Sequence, residues 1–191
     1  MKTIEIKGSK RSDMTKQSVK ALRNNEEVPC VLYGGAEPVH FSALLADFKG
    51  LVYTPDVYMV KLLIDGQEYL SIMQDIQFHP VTDIIQHVDF LAVTDDKAIT
   101  INIPIKFNGA SEGVKQGGKL VTKVRRLKVK ALPSKLPDYI TIDITPLKIG
   151  GNIRVRDLSI DGVTFMDSPS NVIVGVRMTR NVAAEATPEK K

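Results

Sequence analysis

Two of the three histidines in this 191-residue chain fall in one short stretch, Gln74-Asp-Ile-Gln-Phe-His-Pro80 followed by Gln86-His-Val-Asp-Phe-Leu91. Imidazole, carboxylate and carboxamide groups at this density can ligate a metal, relay a proton or read hydrogen-bonding edges. On extended backbone, successive side chains face opposite ways. His87 and Asp89 therefore share one face, Gln77 and His79 share a face of the neighbouring segment, and Val88 and Phe90 point towards the core. The pattern describes a polar surface on an apolar floor.

Three catalytic or ligand-binding chemistries can be weighed against recognition. His87 and Asp89 with His79 or His40 would supply two imidazoles and a carboxylate, the donor set of non-haem iron sites. A metal-dependent small-barrel enzyme using His79, His87 and Asp89 is thus the alternative reading. The common spacing places a second histidine after the His-x-Asp pair, and none follows Asp89. Cys30, the single cysteine, stands between Pro29 and Val31-Leu32, the setting of a small buried hydrophobe rather than a nucleophile. Gly113-Val-Lys-Gln-Gly-Gly-Lys119 approaches the phosphate-binding loop pattern, but Leu120 has no hydroxyl for magnesium. The sequence beyond it reads as strand, where that loop requires a helix N-terminus. The bland reading is a glycine-rich turn. Tyr33 before Gly34-Gly35 puts an aromatic beside a tight turn, where it can pack or reach a sugar or phosphate oxygen.

The elements that must position these groups are short and closely spaced. Ile4 and Ile6 alternate with polar residues in an opening strand. Residues 15–24 lack Gly and Pro and read as a basic helix, with Val19 and Leu22 inward and Lys16, Lys20 and Arg23 on one flank. Cys30 to Tyr33 and Val39 to Ser42 are strands, and Ala43 to Val52 is helix-like with Ser42 as its cap. Tyr58 to Ile64 and Tyr69 to Phe78 flank Asp65-Gly66, a hairpin signal. Asp83 to Val93 adds another strand. Such spacing favours a small sheet or a closed barrel over a parallel α/β sheet. After the polar break at Val93-Thr-Asp-Asp-Lys97, Ile99 to Phe107 alternate. So do Leu127, Val129 and Ala131 against Arg126, Lys128 and Lys130. Ile140 to Ile144 and Val172 to Val176 are further strands. The expected organisation is residues 1–93, then 94–180, then a disordered tail over 181–191 with almost nothing to bury.

Composition is that of an ordinary globular chain, 43% hydrophobic and 25% charged. One cysteine excludes an internal disulfide framework and suits a reducing cytosol. Neither a signal peptide nor a membrane-spanning apolar run is visible, so no membrane partner is expected. The net charge of +4 is unevenly spread. Residues 1–94 carry nine Lys+Arg against twelve Asp+Glu, whereas residues 95–191 carry seventeen against ten. Residues 1–23 nevertheless hold seven cations against two acids, and residues 115–130 hold seven against none. Such clusters suit phosphate backbones or a solvated face. Gln, His and Asp suit the 2′-hydroxyls and base edges that double-stranded RNA displays in its shallow minor groove.

At this point the sequence resembles large-subunit ribosomal protein number twenty-five in its long form, the general stress protein CTC family. The resemblance rests on Arg11, Lys16 to Arg23, Val28-Pro-Cys-Val-Leu-Tyr-Gly-Gly35, Gln74-Asp-Ile-Gln-Phe-His-Pro80 and His87-Val-Asp-Phe-Leu91. In the second half it rests on Ile103-Pro-Ile-Lys-Phe-Asn-Gly109, Gly113 to Gly118, Leu132-Pro133, Pro137 and Ile142-Asp-Ile144. It implies a mainly β fold: a small N-terminal β-barrel with two short helices, then a second mostly β domain. It implies a structural, non-enzymatic protein of the cytoplasmic ribosome whose barrel binds 5S rRNA at its loop E region. Neighbouring ribosomal proteins are candidate partners of the C-terminal domain. Carried over residue by residue, Arg11, Lys16, Lys20 and Arg23 would hold phosphates, and Tyr33, Gln77, His87 and Asp89 would contact the minor groove. No cofactor of the protein's own is implied; magnesium would accompany the bound RNA. Thr15, Glu26 and Phe78 depart from the residues common in the family, where glycine, glycine and arginine are usual.

Overall fold

Alternation of apolar and polar residues builds the first half of the chain. The computed structural model describes residues 2–35, 37–94 and 97–179, so the expected tail over 181–191 lies outside the described residues. The chain divides into two units, Met1–Ile99 with Leu132–Asp138, and Thr100–Ala131 with Tyr139–Lys191.

In the first unit β1 (Lys2–Lys10), α1 (Lys16–Asn24), β2 (Glu27–Tyr33) and β3 (Val39–Leu44) are followed by a 3-10 turn at Leu45–Phe48. Then come α2 (Lys49–Val52), β4 (Tyr58–Ile64), β5 (Gln67–Phe78) and β6 (Ile85–Ala92). The six strands close into a barrel in the order β1-β3-β2-β6-β5-β4, which leaves no free edge in the ring. Parallel pairing of β1 with β4 makes the closure, from Lys2–Tyr58 to Gly8–Ile64. A second parallel pair joins β2 to β6, Cys30 opposite Val88 and Tyr33 opposite Leu91. Alternate residues, among them Cys30, Leu32, Val60, Leu62, Val88 and Phe90, fill the interior. Phe41, Phe48 and Phe90 lie at its centre as tilted rings, with Phe90 5.8 Å from Phe41 and 6.4 Å from Phe48 between centroids. Each fully buried ring contributes roughly 1.5–3 kcal/mol of transfer free energy.

The hairpin expected at Asp65-Gly66 joins β4 to β5, with Ile64 opposite Gln67. Both turn residues have positive φ, 48° and 84°, as a two-residue type I′ turn requires. The Asp65 carboxylate also accepts from the Lys10 backbone N–H, at 3.3 and 3.4 Å. The basic helix is α1. Thr15 caps it, its hydroxyl oxygen accepting from the Ser18 N–H at 3.3 Å. The Asp13 carboxylate in turn accepts from the Thr15 N–H at 2.9 Å. Val19 and Leu22 are half-buried, and Lys16, Lys20 and Arg23 are exposed.

One expectation needs correction. Ser42 does not cap a helix over Ala43 to Val52. It lies inside β3, is 3% exposed, pairs with Pro29 and Ser9, and shares a 3.2 Å hydroxyl contact with Ser9. The strand runs on to Leu44 because Glu27 supplies a partner there. Helical backbone begins only at Leu45, and it buries Phe48 and Leu51.

The second unit is also β. β7 (Ile99–Asn108), a one-turn α3 (Glu112–Lys115), β8 (Lys119–Thr122), β9 (Arg126–Ala131), β10 (Ile140–Asp143), β11 (Asn152–Arg154), β12 (Val163–Phe165) and β13 (Val172–Arg177) complete the element order. They form a four-stranded sheet, β10-β7-β9-β12, and a three-stranded sheet, β11-β13-β8. The glycine-rich turn is a packing device. A Cβ on Gly113 would stand 2.6 Å from the Ile149 nitrogen, and one on Gly118 2.5 Å from Val176 Cγ1. Among the described residues no helix is long and apolar enough to cross a membrane.

Candidate nucleic-acid interface

The polar face lies on the outside of the barrel, where β2, β6 and β5 run side by side. Val88 and Phe90 are fully buried, so His87 and Asp89 project outwards. His87 Nδ1 lies 2.9 Å from Asp89 Oδ1, with the two side chains 27% and 32% exposed. A strand normally holds residues i and i+2 side by side, and here that neighbourhood becomes a close imidazole–carboxylate contact. With Nδ1 turned to the carboxylate, Nε2 is the ring nitrogen left for a ligand.

Gln77 stands directly opposite His87 on β5, and Asp75 opposite Asp89. Asp75 was not singled out from the sequence. The reason is a bulge: Met73 pairs with Phe90 and Asp75 with Asp89, so Gln74 is the extra residue between them. One inserted residue exchanges the two faces of the strand beyond it. It therefore sets Asp75 and Gln77 outward and lets Ile76 pack against the core. No residue type marks that insertion.

Tyr33 ends β2, beside this face. Its phenol is pushed above the ordinary tyrosine range first by burial, then by the carboxylates of Asp89 and Asp75. It remains a neutral hydroxyl, able to donate and accept. Cys30 is 0% exposed, its thiol donating to the Val28 carbonyl at 3.5 Å, and burial raises its pKa. It belongs to the core.

The structure separates His79 from this group. Register shifts again between Gln77 and Phe78, and β5 ends at Phe78, so His79 does not share a strand face with Gln77. Its Nδ1 accepts instead from the backbone N–H groups of Val81 and Thr82, at 3.4 and 3.2 Å. The His79 backbone N–H donates to the Ile84 carbonyl at 2.8 Å. The imidazole organises the turn between β5 and β6. His79, His87 and Asp89 do not form a ligand set, and among the described residues no group of three or more His, Cys, Asp or Glu is placed to hold a metal ion.

The basic residues approach from two elements. Arg11 follows β1. Its N–H donates to the His40 carbonyl at 2.9 Å, and its Nη2 donates to the Asp13 carbonyl at 3.2 Å. Its Nε is buried with no hydrogen-bond partner. Lys16, Lys20 and Arg23 line α1 at i, i+4 and i+7. Arg23 donates from Nη2 to the Gln86 carbonyl at 3.0 Å, which ties the helix to the residue just before His87. The eight residues singled out from the sequence thus fall into two groups: carboxylate, amide, imidazole and the Tyr33 phenol on the barrel wall, and cations on the helix and the segment before it.

Two family models divide the chain between them. Residues 6–90 match the ribosomal L25p family, and residues 98–180 match the C-terminal domain of ribosomal protein TL5. Curated relatives are alike over the full length. A large ribosomal subunit protein bL25 of Bacteroides fragilis is 42% identical over 196 residues, covering 100% of both chains. The protein of that name from Christiangramia forsetii is 48% identical over 184 residues, 95% of this chain and 84% of its own. That of Porphyromonas gingivalis is 42% identical over 193 residues, with both chains covered in full. The chain belongs to the bL25 family of ribosomal proteins, in its two-domain form.

Proposed function

We propose that this bL25 protein, a structural component of the large ribosomal subunit, binds 5S rRNA at its loop E region through the outer wall of the barrel. The observation that carries the reading is the His87–Asp89 pair, 2.9 Å apart on β6 with Gln77 opposite. Asp75 and Asp89 would repel phosphates, so this wall suits other groups. Carboxylates accept from 2′-hydroxyls and exocyclic amines, the His87 Nε2 is left for the RNA, and the Gln77 carboxamide both donates and accepts. Tyr33 adds a neutral hydroxyl at the edge. Phosphates fall to Arg11, Lys16, Lys20 and Arg23, which fix register without reading sequence. Magnesium bound to the RNA would offset the charge of the carboxylates nearby.

Titration of the full chain with 5S rRNA over a salt series tests this division. His87→Ala with Asp89→Ala removes contacts worth on the order of 1–3 kcal/mol each, so the dissociation constant should rise at least about thirtyfold. The slope of affinity against salt should stay the same, because the phosphate contacts remain. Lys16→Gln with Lys20→Gln should instead flatten that slope by roughly 1.5. Undiminished 5S binding by the His87/Asp89 variant would refute the residue assignment.

A further inference from the structure

We propose that the solvent-facing side of the four-stranded sheet in the second unit is a separate binding surface for an RNA phosphate backbone. Leu127, Val129 and Ala131 of β9 are buried, as are Ile103 of β7 and Ile140 and Ile142 of β10. The alternate residues must therefore occupy the other side. On β9 these are Arg126, Lys128 and Lys130, all exposed. Two residues of strand advance roughly 6.6 Å, so three cations stand in an evenly spaced row. Lys106 on β7 adds a fourth. Its partner in register is Thr141 of β10, and its ammonium lies 3.9 Å from the centre of the Tyr139 ring. Tyr139 is 44% exposed. At the opposite edge Thr164 of β12 pairs with Lys130.

The acids nearby have other engagements. The Asp143 carboxylate at the β10 edge accepts from the N–H and hydroxyl of Thr145, at 2.9 and 2.6 Å. Asp167 accepts from the Lys128 backbone N–H at 2.7 Å. The row itself falls within residues 115–130, where no acid occurs.

The composition of the face favours RNA over an acidic protein. Protein interfaces are anchored by buried aromatic or aliphatic side chains and are depleted in lysine. This face offers three lysines and an arginine, with hydroxyls beside them and one exposed aromatic already capped by a cation. That is the chemistry of phosphate and sugar contact, which positions without reading bases. The surface is distinct from the barrel wall and does not depend on the 5S reading.

The test uses the full chain and a poly(A)·poly(U) duplex as probe, titrated over a salt series. Arg126→Gln, Lys128→Gln and Lys130→Gln together should flatten the slope of log affinity against log salt by roughly 2–3. The His87→Ala, Asp89→Ala chain should keep the original slope on this duplex. Lys128→Arg with Lys130→Arg preserves charge and should bind like the unaltered chain. An unchanged slope in the triple glutamine variant would overturn the proposal. So would loss of polyglutamate binding with duplex binding retained, which would assign the face to an acidic protein.

Discussion

Glu26 stands where the turn between α1 and β2 forces the backbone left-handed, with φ of 59°. The Asn25 N–H donates to the Ala21 and Leu22 carbonyls, at 3.1 and 3.0 Å, and the Glu26 N–H to Arg23 at 3.3 Å. The Glu26 carbonyl accepts from Leu45 at 2.8 Å. The conformation is thus fixed from both sides, and the Cβ must tolerate it. For an L-residue the left-handed region costs roughly 1–2 kcal/mol, and glycine escapes that cost. Glycine also gives the unfolded chain more freedom, a loss of about 0.4–1 kcal/mol. The difference predicts that Glu26→Gly stabilises the first unit by about 0.5–1 kcal/mol. For a unit of this size that is a rise of roughly 2–8 °C in its melting midpoint. The chain has no tryptophan and five tyrosines. Of these Tyr33, Tyr53, Tyr58 and Tyr69 lie in the first unit, so tyrosine fluorescence during thermal or urea unfolding reports mainly on the barrel. Glu26→Ala is the control: it discards the carboxylate, keeps the Cβ and should bring no such gain. Equal gains in both variants would refute the strain argument and point to the carboxylate, and no gain in the glycine variant would refute it outright.

Two further outcomes concern the second unit. Gly113→Ala places a Cβ 2.6 Å from the Ile149 nitrogen and 2.7 Å from the Lys148 carbonyl carbon. Because backbone must move, it should destabilise this unit by about 1–3 kcal/mol, read as faster hydrogen exchange in β8 and β13. The Asp143 carboxyl is held below the ordinary carboxylate range by the hydroxyl and N–H of Thr145. A folded-state pKa below the unfolded value of about 3.9 gives stability that is present at neutral pH and is lost as pH falls through the folded value. Asp143→Asn should therefore flatten the acid limb of unfolding for this unit, and an unaltered limb would exclude the contact.

Much of this architecture is legible in the sequence because burial imposes a period. Ile99 to Phe107 and Leu127 to Ala131 alternate, and Asp65-Gly66 carries the two positive φ angles that its hairpin needs. The basic helix declares itself through its spacing, and the pair His87 and Asp89 through strand parity. What stayed hidden has physical causes. Leu45, Phe48, Leu51 and Val52 have helical spacing, yet the preceding residues were claimed by Glu27 across the sheet. Three-residue strands such as Asn152–Arg154 and Val163–Phe165 are too short to display a period. The bulge at Gln74 is set by the partner strand, so Asp75 could not be assigned to the outer wall from β5 alone. The end of β5 at Phe78 takes His79 off the face and leaves it to hold the turn, as its place beside Pro80 suggests.

The closure of the barrel also dictates an order of events as the chain is made. Lys2 finds its partner only when Tyr58 exists, and Cys30 must wait for Val88. Early strands can form only the β2–β3 hairpin and the β1–β3 pair; the two parallel seams join distant segments, the kind of contact that slows folding. The free sides of β1 and β2 therefore remain open templates until β4 and β6 emerge. A nascent chain halted between Leu44 and Ile85 would present unpaired strand edges and an uncovered Phe41. That makes it the species most exposed to mispairing with another chain.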